Sequence, residues 1–355
     1  MDTRSHEDPV EQIYDARVRG VCLISTRAGR RMHLHGGCWV TAAANRPPRL
    51  LVSFPKEFEG ADIVRQSGNF AISLVADDQR DLNTALFAGS HSLDLLGRER
   101  FLRAPSGCPV LADGVGYFDC RLVEAVDFGD FLLAVGDLKA AALLDPDKRN
   151  LTVNEIQRLA PQSRAPVRLP LQGFEDAGPA LPAAPVQGAD AATLASVYAG
   201  RQWGLFLVAS RCGGVEHVQV GSWAIQCSHL PPRMLACVDR SLSAADLIRG
   251  SGRFALSLLA EDQLPLALRV SGGISAPADL GDARFLRAGE DPPVLQDAVA
   301  HFTCRVDGEF NSGADHVGFH GPVTRFGWGR RLATQLRADQ LVARETSADP
   351  SPRVP

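Results

Sequence analysis

Residues 36–52 read GGCWVTAAANRPPRLLV, and residues 220–236 read VGSWAIQCSHLPPRMLA. In both windows a small residue precedes a Trp, seven residues follow, and Pro-Pro-Arg opens an apolar run. The offset of 184 extends far outside these windows. It carries Tyr14 onto Tyr198, Gly20 onto Gly204, Arg27 onto Arg211, His33 onto His217 and Trp39 onto Trp223. It also carries SGNFAISLVADDQ (67–79) onto SGRFALSLLAEDQ (251–263), RFLRA (100–104) onto RFLRA (284–288), and Cys120-Arg121 onto Cys304-Arg305. A register unbroken over about a hundred residues is the mark of a duplicated whole domain, with a period too long for a solenoid.

The 355 residues therefore divide into a first copy over 1–155, a Pro/Ala-rich linker over 156–191, a second copy over 192–345 and a disordered tail over 346–355. Proline and glycine disfavour helix and strand interiors, so the linker is expected to be extended. A hydrophobic content of 45% with 22% charged residues belongs to a globular protein, and a net charge of -4 argues against nucleic acid as a partner. No run approaches the roughly 20 apolar residues that span a bilayer, and the polar start MDTRSHEDPVEQ lacks a signal-peptide core. A cytoplasmic location is the expectation. The eight cysteines form no CxxC pair and sit mostly in apolar runs, as buried thiols do in a reducing compartment. No HExxH or Cys/His ladder supports a metal.

Within each copy the pattern is mainly β. VCLISTR, RLLVSF and FAISLVA, with their echoes LFLVASR, RMLACV and FALSLLA, are apolar and rich in strand formers. GADIVRQSG and AADLIRGSG read as short helices stopped by a left-handed glycine, and DDQRDLNTAL and EDQLPLALRV as helices with acidic starts, Pro265 falling in a first turn. His33 and His217 are expected on a solvated hairpin turn. Gly114-Val-Gly116 has an Asp where a dinucleotide fingerprint needs its last Gly.

These motifs, in order and twice over, resemble the flavin reductase-like, FMN-binding split-barrel family across about 14–140 and 198–326. GCWVTAAANRPPRLLVSFPK, GNFAISLVADDQ and FGDF carry the resemblance in the first copy, and GSWAIQCSHLPPRMLACVDR, GRFALSLLAEDQ and GADH in the second. The resemblance implies two split β-barrels in tandem with short helices. Members of this family are homodimers with FMN near the subunit interface, so a tandem chain is expected to form an intramolecular pseudo-dimer, the whole being a monomer or a homodimer. It also implies FMN or FAD as cofactor, NAD(P)H as co-substrate and a monooxygenase as possible partner.

A flavin needs close backbone approach to its ring, donors for its ribityl chain, and main-chain N–H groups with a hydroxyl or cation for its phosphate. Gly37, Cys38 and Trp39, with Gly221, Ser222, Trp223 and Ala224, are the candidates for the ring. Trp39 and Trp223 serve either that contact or the core. Thr41, Ser222 and Ser228 would donate to ribityl or ring oxygens. Lys56 in one copy, and Arg240 with Ser241 and Ser243 in the other, occupy the phosphate turns. The copies depart from the family pattern differently. Glu57 and Glu59 crowd the first phosphate turn, and the family's Thr there is Gly60 or Ala244. The family's Asp-His is kept as Asp315-His316, on a polar turn, but is Asp130-Phe131 in the first copy. The resemblance places that His near the flavin on the nicotinamide side. One flavin site, associated with the second copy, is expected. Three functions stay open: an NAD(P)H:flavin reductase feeding a monooxygenase, a flavin oxidase or oxygenase with its own organic substrate, and a non-catalytic flavin- or haem-binding module.

Overall fold

The computed structural model describes residues 17–82, 99–153, 155, 203–271, 273, 280, 283–311 and 313–341. The expected linker (156–191), the tail (346–355) and most of the DDQRDLNTAL helix lie outside them. The first repeat contributes strands β1 (Cys22–Ala28), β2 (Arg31–Gly37), β3 (Val40–Asn45), β4 (Pro48–Pro55), β5 (Asn69–Leu74), β6 (Phe101–Arg103), β7 (Pro109–Leu111), β8 (Gly116–Asp127) and β9 (Phe131–Leu143), with helix α1 (Gly60–Ser67). Its main sheet runs β2-β1-β5-β8-β9-β4. The second repeat contributes β10 (Phe206–Cys212), β11 (Val215–Gly221), β12 (Ala224–Ser228), β13 (Arg233–Asp239), β14 (Arg253–Leu258), β15 (Phe285–Leu286), β16 (Val294–Leu295), β17 (Ala300–Arg305), β18 (Gly308–Phe310) and β19 (His316–Trp328), with α2 (Ser243–Ser251) and α3 (Leu264–Arg269). Its sheet runs β11-β10-β14-β17-β19-β13-β12, and β18 pairs with β19. The first six positions match strand for strand, as a duplication requires.

Both sheets bend where the register slips. The β8–β9 ladder shifts between Asp119 and Cys120 and again between Leu122 and Glu124, and the β17–β19 ladder shifts between Thr303 and Cys304. Each bulge adds a residue on one strand and increases the local twist, which lets a long strand serve two parts of a curled sheet. Gly321 marks the tightest point of β19: a Cβ there would lie 1.6 Å from the carbonyl oxygen of Arg305. The helices stop as their sequences indicate, on Gly68 (φ 66°) and Gly252 (φ 65°). Pro265 lies in the first turn of α3, where its missing N–H costs nothing.

Two compact units result. Among the described residues one holds 19–40, 47–82, 99–153 and 155; the other holds 17–18, 203–341 and, drawn from the first repeat, Thr41–Arg46. The core of the latter collects Phe254, Leu256, Phe302, Val317 and Phe319 against Ile248 of α2. The core of the former includes Val21, Leu23, Leu34, Val75 and Leu111.

His33 and His217 depart from expectation. Both are buried within strands, at 5% and 3% exposure, instead of lying on a solvated turn. The hairpin tips fall earlier, at Gly29 and at Gly213-Gly214, whose positive φ provides the reversal. That places His33 and His217 on the inward side of β2 and β11, facing the helix packed there.

Candidate functional site

Strand register gathers the second repeat's motifs. Asp239 pairs with His316 across β13 and β19, so the turn after β13 lies beside the residues that open β19. The Arg240 N–H donates to the Asp315 carbonyl at 2.9 Å. From the other side the Trp223 carbonyl accepts the Cys237 N–H at 2.9 Å, and the Trp223 ring meets the His316 imidazole with centroids 4.6 Å apart at 46°. This bond explains the fixed spacing in the opening stretch. The Trp carbonyl must reach a residue fourteen further on, and Pro-Pro-Arg makes the reversal between them. The first repeat repeats it as Ser53 N–H to Trp39 O at 3.2 Å.

His316 is half-buried and is the first residue of β19, one place beyond the polar turn on which it was expected. Its Nδ1 lies 2.9 Å from Asp315 Oδ1. Since a carboxylate only accepts, the imidazole places its proton on Nδ1 and leaves Nε2 for a ligand. Partial burial alone raises the Asp315 pKa, but the bonds from His316 and from the Arg46 and Asn45 main chain outweigh it and hold the carboxyl below its usual range. Arg240 is exposed, yet its Nε donates to Ala314 O at 2.8 Å and its Nη2 to Asn311 O at 3.1 Å, so the guanidinium also secures the 311–315 turn. Ser241 places its N–H and hydroxyl on Asp239 Oδ1, at 2.8 and 2.7 Å. The exposed Ser243 at the start of α2 shares a 3.0 Å hydrogen bond with His217 Nδ1. Gly221 and Ser222 are half-buried at the end of β11, and Ala224 is buried at the start of β12. Ser228 is fully buried, its hydroxyl donating to Pro231 O at 3.0 Å. Thr41 is fully buried, and its Oγ1 has no hydrogen-bond partner among the described residues.

The first repeat keeps the frame and changes the chemistry. The Lys56 N–H donates to the Asp130 carbonyl at 2.9 Å, and Trp39 meets Phe131 at 4.6 Å and 46°. A phenyl ring stands where the imidazole would be. The Lys56 ammonium is held on both carboxylate oxygens of Asp127, at 2.8 and 2.9 Å, and Arg31 pairs with Glu59 at 3.2 Å. The helix start is filled as well: a Cβ on Gly60 would lie 2.4 Å from His33 Cδ2. His33 and the neighbouring His35, ring centroids 5.2 Å apart, are both buried, and desolvation lowers their pKa values to about 4 and about 3. Gly37 lies against Ile24, and the half-buried Cys38 thiol accepts from Arg19 Nη1 at 3.9 Å.

The donor sets therefore test differently against a flavin nucleotide. The second unit offers a half-buried Gly-Ser-Trp edge, an imidazole with a free Nε2, an exposed arginine, two exposed serines and the orphaned Thr41 hydroxyl, and this set fits. The first repeat's turn, with its cation neutralised and its helix start covered by His33, does not fit a phosphate.

A flavin reductase like domain is matched twice, over residues 16–158 and 202–340. The chain belongs to this family. Proteins of similar sequence include the stachydrine N-demethylase reductase subunit of Rhizobium meliloti, 28% identical over 34% of this chain and 51% of that one. The actinorhodin polyketide dimerase of Streptomyces coelicolor is 32% identical over 31% of this chain and 61% of that one. An FMN reductase (NADH) of Methylorubrum extorquens is 31% identical over 37% of this chain and 68% of that one. The chain spans only 25% to 61% of the length of several curated relatives that it matches.

In this flavin reductase like chain three residues around Asp315 were missed by sequence reasoning: Asn45, Arg46 and Asn311. Asn311 takes φ 72°, and in the sequence it opens Asn-Ser-Gly, a residue pattern suited to a left-handed position. Asn45 and Arg46 carry no local signal: they reach Asp315 through main-chain groups and, for Arg46, an exposed ion pair with Nε 3.8 Å from Asp315 Oδ2. No helix among the described residues is long and apolar enough to cross a membrane.

Proposed function

We propose that this chain is a flavin-dependent oxidoreductase of the NAD(P)H:flavin reductase type, with one flavin site per chain, in the second unit, and an oxygenase as the consumer of its reduced flavin. The observation that carries the reading is the Trp223–His316–Asp315 arrangement beside the Arg240–Ser243 turn, with Phe131 and a neutralised Lys56 at the matching places of the first repeat. Relatives named as an FMN reductase (NADH) and as a reductase subunit support the same direction. Eight free cysteines fit a reducing, cytoplasmic compartment.

A bound FMN or FAD would supply a ring able to take hydride from a reduced nicotinamide. The protein's part is to bind, orient and exclude water, without acid–base chemistry on the substrate. Gly221, Ser222 and Ala224 would border the ring, with the Trp223 indole buttressing His316. Arg240, Ser241 and Ser243 would receive the phosphate. His316 would present Nε2 to the nicotinamide, its orientation fixed by Asp315.

The purified protein titrated with FMN and FAD, followed by NAD(P)H oxidation at 340 nm, tests the reading. One equivalent of flavin and turnover with added flavin are expected; two equivalent sites, or no flavin at all, would sink it. The relative named as a polyketide dimerase favours a second reading, a flavin-dependent oxidase or oxygenase acting on its own small organic substrate. Tightly held flavin without rapid NAD(P)H consumption would select it.

A further inference from the structure

We propose that the strand end Ala43–Arg46, together with Asn311, positions His316 through Asp315, so that a segment of the first repeat sets the imidazole tautomer at the second repeat's site. This rests on the reading of His316 as the residue that meets the nicotinamide. The Asn45 N–H donates to Asp315 Oδ1 at 3.0 Å, and the Asp315 N–H donates to Arg46 O at 3.0 Å. Backbone and carboxylate of Asp315 are thus both fixed on one two-residue stretch. Asn311 is fully buried and clamps the same turn from beneath: its Nδ2 donates to Ala43 O at 2.6 Å and to His316 O at 3.0 Å. Its carbonyl in turn accepts from Arg240. The result is a chain of bonds from the 43–46 main chain to Asp315 Oδ1 and on to His316 Nδ1. The Arg46 side chain adds an ion pair, its Nε 3.8 Å from Asp315 Oδ2, so the hold joins main-chain bonds, which do not depend on residue type, to one exposed side-chain contact. It also accounts for Thr41–Arg46 falling within the second unit. Asn45, Arg46 and Asn311 are positioning residues, acting on His316 through Asp315 and the main chain.

The consequence is a His316 imidazole whose proton sits on Nδ1, against the intrinsic preference of free imidazole for Nε2–H. The test uses the full chain without added flavin, labelled with 15N-histidine, at alkaline pH where imidazole is neutral. The His316 resonances are identified by their loss in His316→Phe. In the wild type a proton on Nδ1 is expected. Asp315→Ala and Asn311→Gly, the latter keeping the left-handed backbone, should shift His316 toward the Nε2–H mixture of free imidazole. Each should also raise the NADH KM about tenfold with little change in kcat, the effect of losing one charge-assisted hydrogen bond. A wild-type His316 protonated at Nε2 overturns the inference, and this outcome needs no variant to fold. Unchanged tautomer and KM in folded variants, shown by a normal melting curve, overturn it as well. If His316→Ala leaves NADH kinetics untouched, the nicotinamide reading fails instead, and the tautomer result stands or falls separately.

Discussion

Trp223 and His316 meet with ring centroids 4.6 Å apart at 46°, and Trp39 and Phe131 meet at the same distance and angle. One packing arrangement is therefore used twice, once with a ring that can hydrogen-bond and once with a ring that cannot. Each Trp packs on a flat ring, and the proposed chemistry calls for an imidazole at only one of the two places. His316→Phe should accordingly leave stability within about 1 kcal/mol, since a similar ring fills the site. The same change should raise the NAD(P)H KM about tenfold, the cost of one lost hydrogen bond to substrate. Denaturation and steady-state kinetics on one preparation check both; a large loss of stability with normal KM would make His316 a packing residue.

The two basic residues of the turns proposed to meet phosphate should behave differently. Lys56 is already paired with Asp127, so Lys56→Ala should change flavin affinity less than about twofold. Arg240 is exposed and also braces the 311–315 turn, so Arg240→Ala should weaken flavin binding about tenfold or more. Fluorescence titration with FMN distinguishes these, and equal effects of the two variants would argue for two sites.

Gly60 is required by the position of His33, not by its backbone angles. A Cβ there would meet His33 Cδ2 at 2.4 Å and Nε2 at 2.9 Å. Gly60→Ala should destabilise the first unit by about 1–3 kcal/mol, the usual cost of overpacking. The double variant Gly60→Ala/His33→Ala should recover part of the loss. Urea unfolding measures both, and a double variant no better than the single one would place the strain elsewhere.

Acid should weaken the fold through His33 and His35. Their folded-state pKa values lie at about 4 and about 3, below the ordinary 6.5, because burial penalises the charged form. Below 6.5 the unfolded chain binds protons that the folded chain refuses, so stability is fully present above that pH and falls as the pH drops toward 4. The loss should be on the order of a few kcal/mol. His35→Gln, which copies Gln219 of the second repeat, should flatten this limb in urea midpoints measured across the range. An unchanged slope would show that other groups carry the acid sensitivity.

Much of this protein is legible in its amino-acid sequence. The 184-residue offset gave two copies, the apolar runs gave the strands, and Ser-Gly gave the helix stops at Gly68 and Gly252. The departures between copies, Phe131 against His316 and Glu59 against Ser243, marked where the two sites differ, because they change chemistry at matched positions. The burial of His33 and His217 was not readable, since a polar residue near a hairpin looks solvated until the strand's inward side is known. Nor was the pairing of Lys56 with Asp127, 71 residues away. The hold of Asn45 and Arg46 on Asp315 was the least visible of all. Pattern and composition act through side chains and are written in the sequence. Contacts made by main-chain N–H and carbonyl groups look the same for nearly every residue type, so only the tertiary structure decides which of them meet.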